Sequence, residues 1–249
     1  MLLLVFIGCV EYSIDKPTEL EPGSELLLDS GIPAPIAEAP VYANTAGRLY
    51  EVEPATGETL TVGDFRDASG KIDGFVDIAI DLEGRMFGGT FDAIYAIDPT
   101  TAEVTHLCDT DVELYAMTFT SEGELIGGGP ENLTFIDVDA DCSSEPLISE
   151  PIFETSGDLV GLPDGFLYWT VIGEDSDQLV RLDPQTGLYA PVGALGYSQL
   201  YGLGYDQGEL FGFSASGEII AISPESAQSS LRSTGGVSWW GATTNPVIW

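Results

Sequence analysis

Residues 77–99 read DIAIDLEGRMFGGTFDAIYAIDP. Ile78-Ala79-Ile80 and Met86-Phe87 flank a turn at Gly84, and Ile94-Tyr95-Ala96-Ile97 runs into Asp98-Pro99. Short apolar runs bounded by Gly and Asp-Pro turn signals predict antiparallel strands. No stretch of the chain keeps a 3.6-residue apolar period beyond two turns, so helix is expected to be nearly absent.

Both halves of this stretch recur. IYAIDP at Ile94 returns as LYEVEP at Leu49, LVRLDP at Leu179 and, degenerate, IIAISP at Ile219, and LTFIDV at Leu133 supplies the remaining copy. The preceding phrase returns as AMTFTSEGELIGG from Ala116, DLVGLPDGFLYWT from Asp158 and GLGYDQGELFGF from Gly202, with turn glycines Gly84, Gly123, Gly165 and Gly208. The repeat is on the order of 40 residues, the length of a propeller blade. Each unit reads as strand, Gly turn, strand, gap, strand, Asp-Pro turn, strand. In Asp183-Pro184-Gln185-Thr186-Gly187 the aspartate caps the turn, the proline presets φ and the glycine takes the left-handed position.

The ends are out of phase with the middle. Val41–Thr45 matches a second strand, whereas residues 238–243 match a first strand, so the last strand is expected to complete the first blade and leave no open sheet edge. Residues 41–249 divide into five units of about 42 residues each. The expected fold is all-β: a five-bladed β-propeller of four-stranded antiparallel blades, the ring closed by pairing of the C-terminal strand with the N-terminal blade.

The phrases LYxIDPxTG and DIAxDxxGxLYG resemble the repeats of bacterial propellers of the quinoprotein-dehydrogenase-like and YVTN-like kind, over residues 41–249. Those families include enzymes and plain scaffolds, and no quinone-site or hydrolase signature is present to carry over. Function is therefore argued from a site.

Met1–Gly8 is an apolar run too short to cross a bilayer as a helix, which takes about 20 residues. Followed by Cys9, it resembles the end of a bacterial lipoprotein signal, with Phe6-Ile7-Gly8-Cys9 as the lipobox and Cys9 the lipidated residue. Phe6 stands where leucine is usual and no basic region precedes the run, which implies a start codon further upstream. Residues 1–9 are thus read as a truncated signal, 10–40 as an acidic, proline-rich tether and 41–249 as the propeller. The expected address is outside the cytoplasm: a periplasmic or outer-surface lipoprotein of a bacterium, touching membrane only through its lipid.

The full chain of 249 residues carries 41 acidic and 7 basic side chains, a net charge of −34, with 44% hydrophobic residues. That apolar content buries a core, and the missing Lys/Arg clusters exclude nucleic acid as a partner. The acidity has two readings: a solvated surface suited to a high-salt habitat, or attraction for divalent cations or a basic partner.

His106 is the sole histidine and falls in a predicted outer strand, which argues against a histidine-dependent triad. Paired carboxylates need no histidine. Aligned on the turn glycines, the positions expected to line the channel or its mouth are Phe75, Asp77, Tyr115, Asp158, Tyr201, Trp239 and Trp240. Aromatic platforms with two carboxylates suit a sugar or a cation, whereas large side chains at strand starts also simply fill a ring. Asp137, Asp139 and Asp141 alternate like the opening of a calcium loop, but Cys142 replaces its glycine and Ile148 its bidentate glutamate, so a turn with solvated acids competes with calcium as the reading. With Cys9 assigned to lipid, Cys108 and Cys142 fall in adjacent repeats, where a disulfide is one reading and free thiols the other.

The sequence thus leads to a monomeric, lipid-anchored propeller that binds an envelope protein or glycan, without a cofactor unless calcium is one. The rivals are a carbohydrate-active enzyme using Asp77 and Asp158, and a calcium-stabilised structural domain.

Overall fold

A computed structural model describes residues 39–148 and 153–248. The signal, Cys9 and nearly all of the tether lie outside these residues. The first sheet contains β1 (Val41–Thr45), β2 (Arg48–Glu53) and β3 (Glu58–Asp64). A small hairpin follows, β4 (Arg66–Asp67) and β5 (Gly70–Lys71), which the repeat pattern does not predict. Blade 2 is β6 (Asp77–Ile80), β7 (Met86–Gly89), β8 (Ala93–Ile97) and β9 (Val104–Asp109). Blade 3 is β10 (Ala116–Phe119), β11 (Leu125–Gly128), β12 (Leu133–Asp137) and β13 (Ser143–Ile148). Blade 4 is β14 (Thr155–Gly161), β15 (Leu167–Val171), β16 (Gln178–Leu182) and β17 (Tyr189–Ala194). Blade 5 is β18 (Leu200–Asp206), β19 (Glu209–Ser214), β20 (Glu218–Ile222) and β21 (Ser229–Thr234).

The last strand, β22 (Gly241–Thr244), pairs antiparallel with β1, so the first sheet runs β22-β1-β2-β3. Each inner strand packs against the next in the order β22, β6, β10, β14, β18 and back to β22. All strand pairings within the blades are antiparallel, giving five blades of four strands, and among the described residues helix is limited to two 3-10 turns, 138–140 and 246–248.

The turns follow the sequence logic. Gly84, Gly123, Gly165 and Gly208 all have positive φ, from 83° to 94°. In the Asp183 turn, the side chain accepts from the N–H of Gln185 at 2.9 Å while Gly187 N–H closes on the Asp183 carbonyl at 2.8 Å.

The core is divided into five apolar clusters, one at each junction between neighbouring blades. Strand alternation makes this division: on β6, Ile78 and Ile80 pack toward blade 1 while Ala79 packs toward blade 3. The junction of blades 5 and 1 is filled the same way, by Phe211, Phe213 and Ile219 against Val41, Tyr50 and Val52. β6, β7, β11 and β22 are buried at every position, whereas the outer strands β3, β17 and β21 are mostly solvated. Cys108 and Cys142 are both buried in the cluster between blades 2 and 3 and are joined as a disulfide, with Cα atoms 5.9 Å apart.

Candidate functional site

In a propeller the inner strand of each blade has one free edge, and its backbone groups point into the channel without a strand to meet them. Aligned by repeat, Ile78, Met117, Leu159, Leu203 and Ala242 occupy the same position on the five inner strands. All five of these N–H groups are taken up by two side chains. Asp77 accepts from Ile78 N at 2.8 Å and from Met117 N, one blade on, at 2.6 Å. Asp158 accepts from Leu159 N at 2.6 Å, from Leu203 N one blade on, and from Ala242 N. The two carboxyl groups also hydrogen-bond to each other.

Neither aspartate has any exposed surface. The other three blades make room for them with Ala116, Gly202 and Gly241 at the position equivalent to the two aspartates. A methyl group on Gly241 would stand 2.4 Å from Asp77 Oδ1. Burial pushes both carboxyls above the ordinary aspartate range, to about 8 for Asp158, and the charge of Asp158 raises Asp77 further.

This geometry corrects the expectation that Asp77 and Asp158 line an open channel. A glycosidase places its two carboxyls roughly 5 to 9.5 Å apart with the sugar between them. Here they touch, and no ligand-sized space separates them. Further along the same strands, a cavity of about 10 Å³ beside Thr118, Val160 and Thr243 has room for roughly one water.

The aromatic candidates do not converge on one site either. Phe75 is fully buried between blades 1 and 2, stacked against Phe65 and Tyr95. Trp239 is buried between blades 5 and 1, edge-on to Tyr50 and Phe213. These two fill blade junctions. Each lies two residues before an inner strand, where its side chain turns between neighbouring sheets and away from the axis. Tyr115 and Tyr201 are half-buried and Trp240 is 40% exposed.

The Asp137, Asp139, Asp141 run forms a 3-10 turn in which Asp137 caps the N–H groups of Asp139 and Ala140. Among the described residues, no group of three or more His, Cys, Asp or Glu side chains is gathered around a point that would hold a metal ion. His106 lies exposed on the outer strand β9, within 2.9 Å of Asp109.

One concavity was not foreseen. On the face where the chain crosses from blade to blade, a groove of about 620 Å³ lies over the loops of blade 2. Its floor and walls include Phe91, Tyr95 and the carboxylates Asp73, Asp92, Asp111 and Glu113. Phe91 is 43% exposed and meets Tyr115 edge-on at 5.3 Å, and the Tyr115 hydroxyl donates to Glu113 at 3.2 Å. Burial and the charge of Asp92 raise the Tyr95 hydroxyl above its usual range. The missed signal was Thr90-Phe91-Asp92, which sits in a second-to-third strand loop where a solvated turn needs no phenylalanine.

Neither a protein-family model nor a curated protein sequence matches the chain. Among solved structures, a chain in the crystal structure of the nidogen/laminin complex matches at a TM-score of 0.58 and 16% identity, over 86% of this chain and 84% of that one. The likeness is one of fold. The extracellular domain of a B. thetaiotaomicron protein named as a one component system matches at a TM-score of 0.47 and 12% identity, over 78% of this chain and 28% of that one. The protein is a β-propeller. No helix among the described residues is long and apolar enough to cross a membrane.

Proposed function

We propose that this propeller is a binding scaffold that works outside the cytoplasm on a lipid anchor at Cys9, and that it contacts its partner through the groove over blade 2. The observation that carries this reading is the pairing of an exposed aromatic, Phe91, with four carboxylates around an open concavity. Rings and acids together suit a partner segment bearing Lys or Arg, through cation–π and charge-assisted contacts. An envelope protein with a basic segment is therefore the favoured partner, and a glycan stacking on Phe91 is the second reading.

Catalysis by Asp77 and Asp158 is disfavoured because every carboxylate oxygen already accepts a backbone N–H and no solvent reaches the pair. The export reading rests on the apolar run before Cys9, and the disulfide agrees with an oxidising compartment.

The test places a photo-reactive amino acid at Phe91 of the full chain and cross-links it in its host cells. A discrete protein adduct that disappears when Asp92→Asn and Glu113→Gln are introduced supports the reading. A thermal shift with envelope glycans that Phe91→Ala abolishes would favour the sugar instead. Absence of both, with a probe at Leu60 on the exposed rim of blade 1 labelling equally well, would overturn the groove as the contact surface.

A further inference from the structure

The chain has three asparagines, Asn44, Asn132 and Asn245. Asn44 and Asn245 are fully buried, whereas Asn132 is exposed in the loop between β11 and β12 of blade 3. It is also the one asparagine with a hydroxyl residue two positions on. Asn132-Leu133-Thr134 matches Asn-X-Ser/Thr, the acceptor sequence for N-linked glycans, in which X is any residue but proline. The Asn132 side chain makes no hydrogen bond among the described residues, so its amide nitrogen is open to a bond with sugar.

The repeat explains Leu133 but not Thr134. Leu133 starts the third strand of its blade at the same register as Leu49, Ile94, Leu179 and Ile219, and in all five blades a bulge follows immediately. The next residue is therefore equivalent throughout: Tyr50, Tyr95, Thr134, Val180 and Ile220. Four blades place an aromatic or aliphatic side chain there, whereas blade 3 buries a hydroxyl, with Thr134 5% exposed. That hydroxyl makes no hydrogen bond among the described residues. Valine serves the packing, as at Val180, so a hydroxyl of the same shape needs another use. Recognition by a glycosyl transferase supplies one.

We propose that Asn132 carries an N-linked glycan, attached as the chain leaves the cytoplasm and before blade 3 folds. The proposal rests on the export reading above and is independent of what binds the groove. The donor is a glycan joined through phosphate to a polyprenyl lipid. Asn132 Nδ2 attacks the anomeric carbon, and the new C–N bond forms as the C–O bond to phosphate breaks. The lipid phosphate leaves with that electron pair, and one Nδ2 proton passes to a base of the transferase. Burial sets the order of events: Leu133 has no exposed surface, and β12 is paired on both edges, by β11 and β13. The folded chain thus cannot offer these three residues to an enzyme cleft. Once folded, the exposed loop keeps a bulky glycan in water. It stands beside the groove over blade 2. The point that a Cβ on Gly129 would occupy is 2.3 Å from Asn132 Oδ1 and 3.3 Å from the carbonyl oxygen of Glu113, a residue of the groove wall.

The test takes the full chain from the envelope fraction of its host cells, reduces it, digests it with a glutamate-specific protease and weighs the fragments by mass spectrometry. The fragment containing Asn132 is expected to carry a glycan in most molecules. Asn132→Gln and Thr134→Val are each expected to abolish the modification, and Thr134→Ser to retain it. Thr134→Val copies the side chain of Val180, so export and the far-UV circular dichroism spectrum are expected to stay unchanged. A bare Asn132 in the envelope fraction, or a glycan there that survives Thr134→Val, would overturn the proposal and leave the export reading standing. A chain confined to the cytoplasm would overturn both.

Discussion

The carboxylate of Asp77 accepts a hydrogen bond at 2.6 Å from the backbone N–H of Met117, one blade further round the ring. Asp158 makes the same bond to Leu203, on the strand after its own. Each aspartate thereby ties its own inner strand to the next. Between them they satisfy five backbone donors that the channel would otherwise leave to water, and a channel with this much side chain at its axis is closed at that level.

Removing one of these carboxyls has a large cost. In Asp158→Ala the N–H groups of Leu159, Leu203 and Ala242 lose their acceptor, and each buried orphan costs roughly 1–3 kcal/mol. A loss on the order of 3 kcal/mol or more is expected in urea unfolding, with the midpoint falling while the slope is retained. A variant within about 0.5 kcal/mol of wild type would show that water replaces the carboxyl freely.

The small residues opposite the aspartates are constrained just as tightly. Gly241→Ala sets a methyl 2.4 Å from Asp77 Oδ1 and 2.7 Å from the Asp77 Cα, so backbone as well as side chain must yield. Overpacking of this kind costs about 1–3 kcal/mol. Gly236, exposed and with nothing within 4 Å of the added atom, is the control: Gly236→Ala is expected to be neutral or slightly stabilising in the same thermal melt.

The disulfide closes a sequence separation of 34 residues across blades 2 and 3. Loop-closure entropy for that length amounts to about 3–4 kcal/mol. The double change Cys108→Ala, Cys142→Ala should therefore lower the thermal midpoint, and a reducing agent should lower the wild-type midpoint and leave the double variant unmoved.

Asp177, like Asp77 and Asp158, contributes a pH dependence of unusual sign. Burial raises its pKa, against the hydrogen bonds it accepts from Ser156 and the N–H of Leu200. Between the unfolded value near 4 and the raised folded value, the folded state binds more protons than the unfolded one, so this group's contribution to stability falls as pH rises. Lowering the pH from neutrality toward that window should raise its contribution, in contrast to ordinary acid denaturation. Asp177→Asn should flatten the slope of stability against pH, measured by urea unfolding, and an unchanged slope would remove Asp177 as its source.

Strands and blades were legible because their signals are local. The Gly84-type turns need positive φ, the Asp-Pro turns cap themselves, and the period of the phrases counts the blades. The phase mismatch of Val41–Thr45 with residues 238–243 anticipated a C-terminal strand beside β1, and β22 pairs there. The site was legible only in part. Asp77 and Asp158 stand out on alignment as polar residues at an apolar strand start, but their mutual contact depends on a ring that brings blade 2 opposite blade 4. Phe75 and Trp239 were misplaced because each lies two residues before its inner strand begins, outside the pleat that fixes which way a side chain points. The hairpin at 66–71 and the groove at Phe91 belong to single loops that no repeat predicts.

Amide hydrogen exchange at the inner strands tests the closed centre most directly. If two carboxyls seal the axis, the N–H groups of Ile78, Met117, Leu159, Leu203 and Ala242 exchange only on global unfolding, as slowly as the best-protected amides of the blades. Exchange of these five at the rate of a solvated edge strand would mean an open, water-filled channel, and would contradict the account.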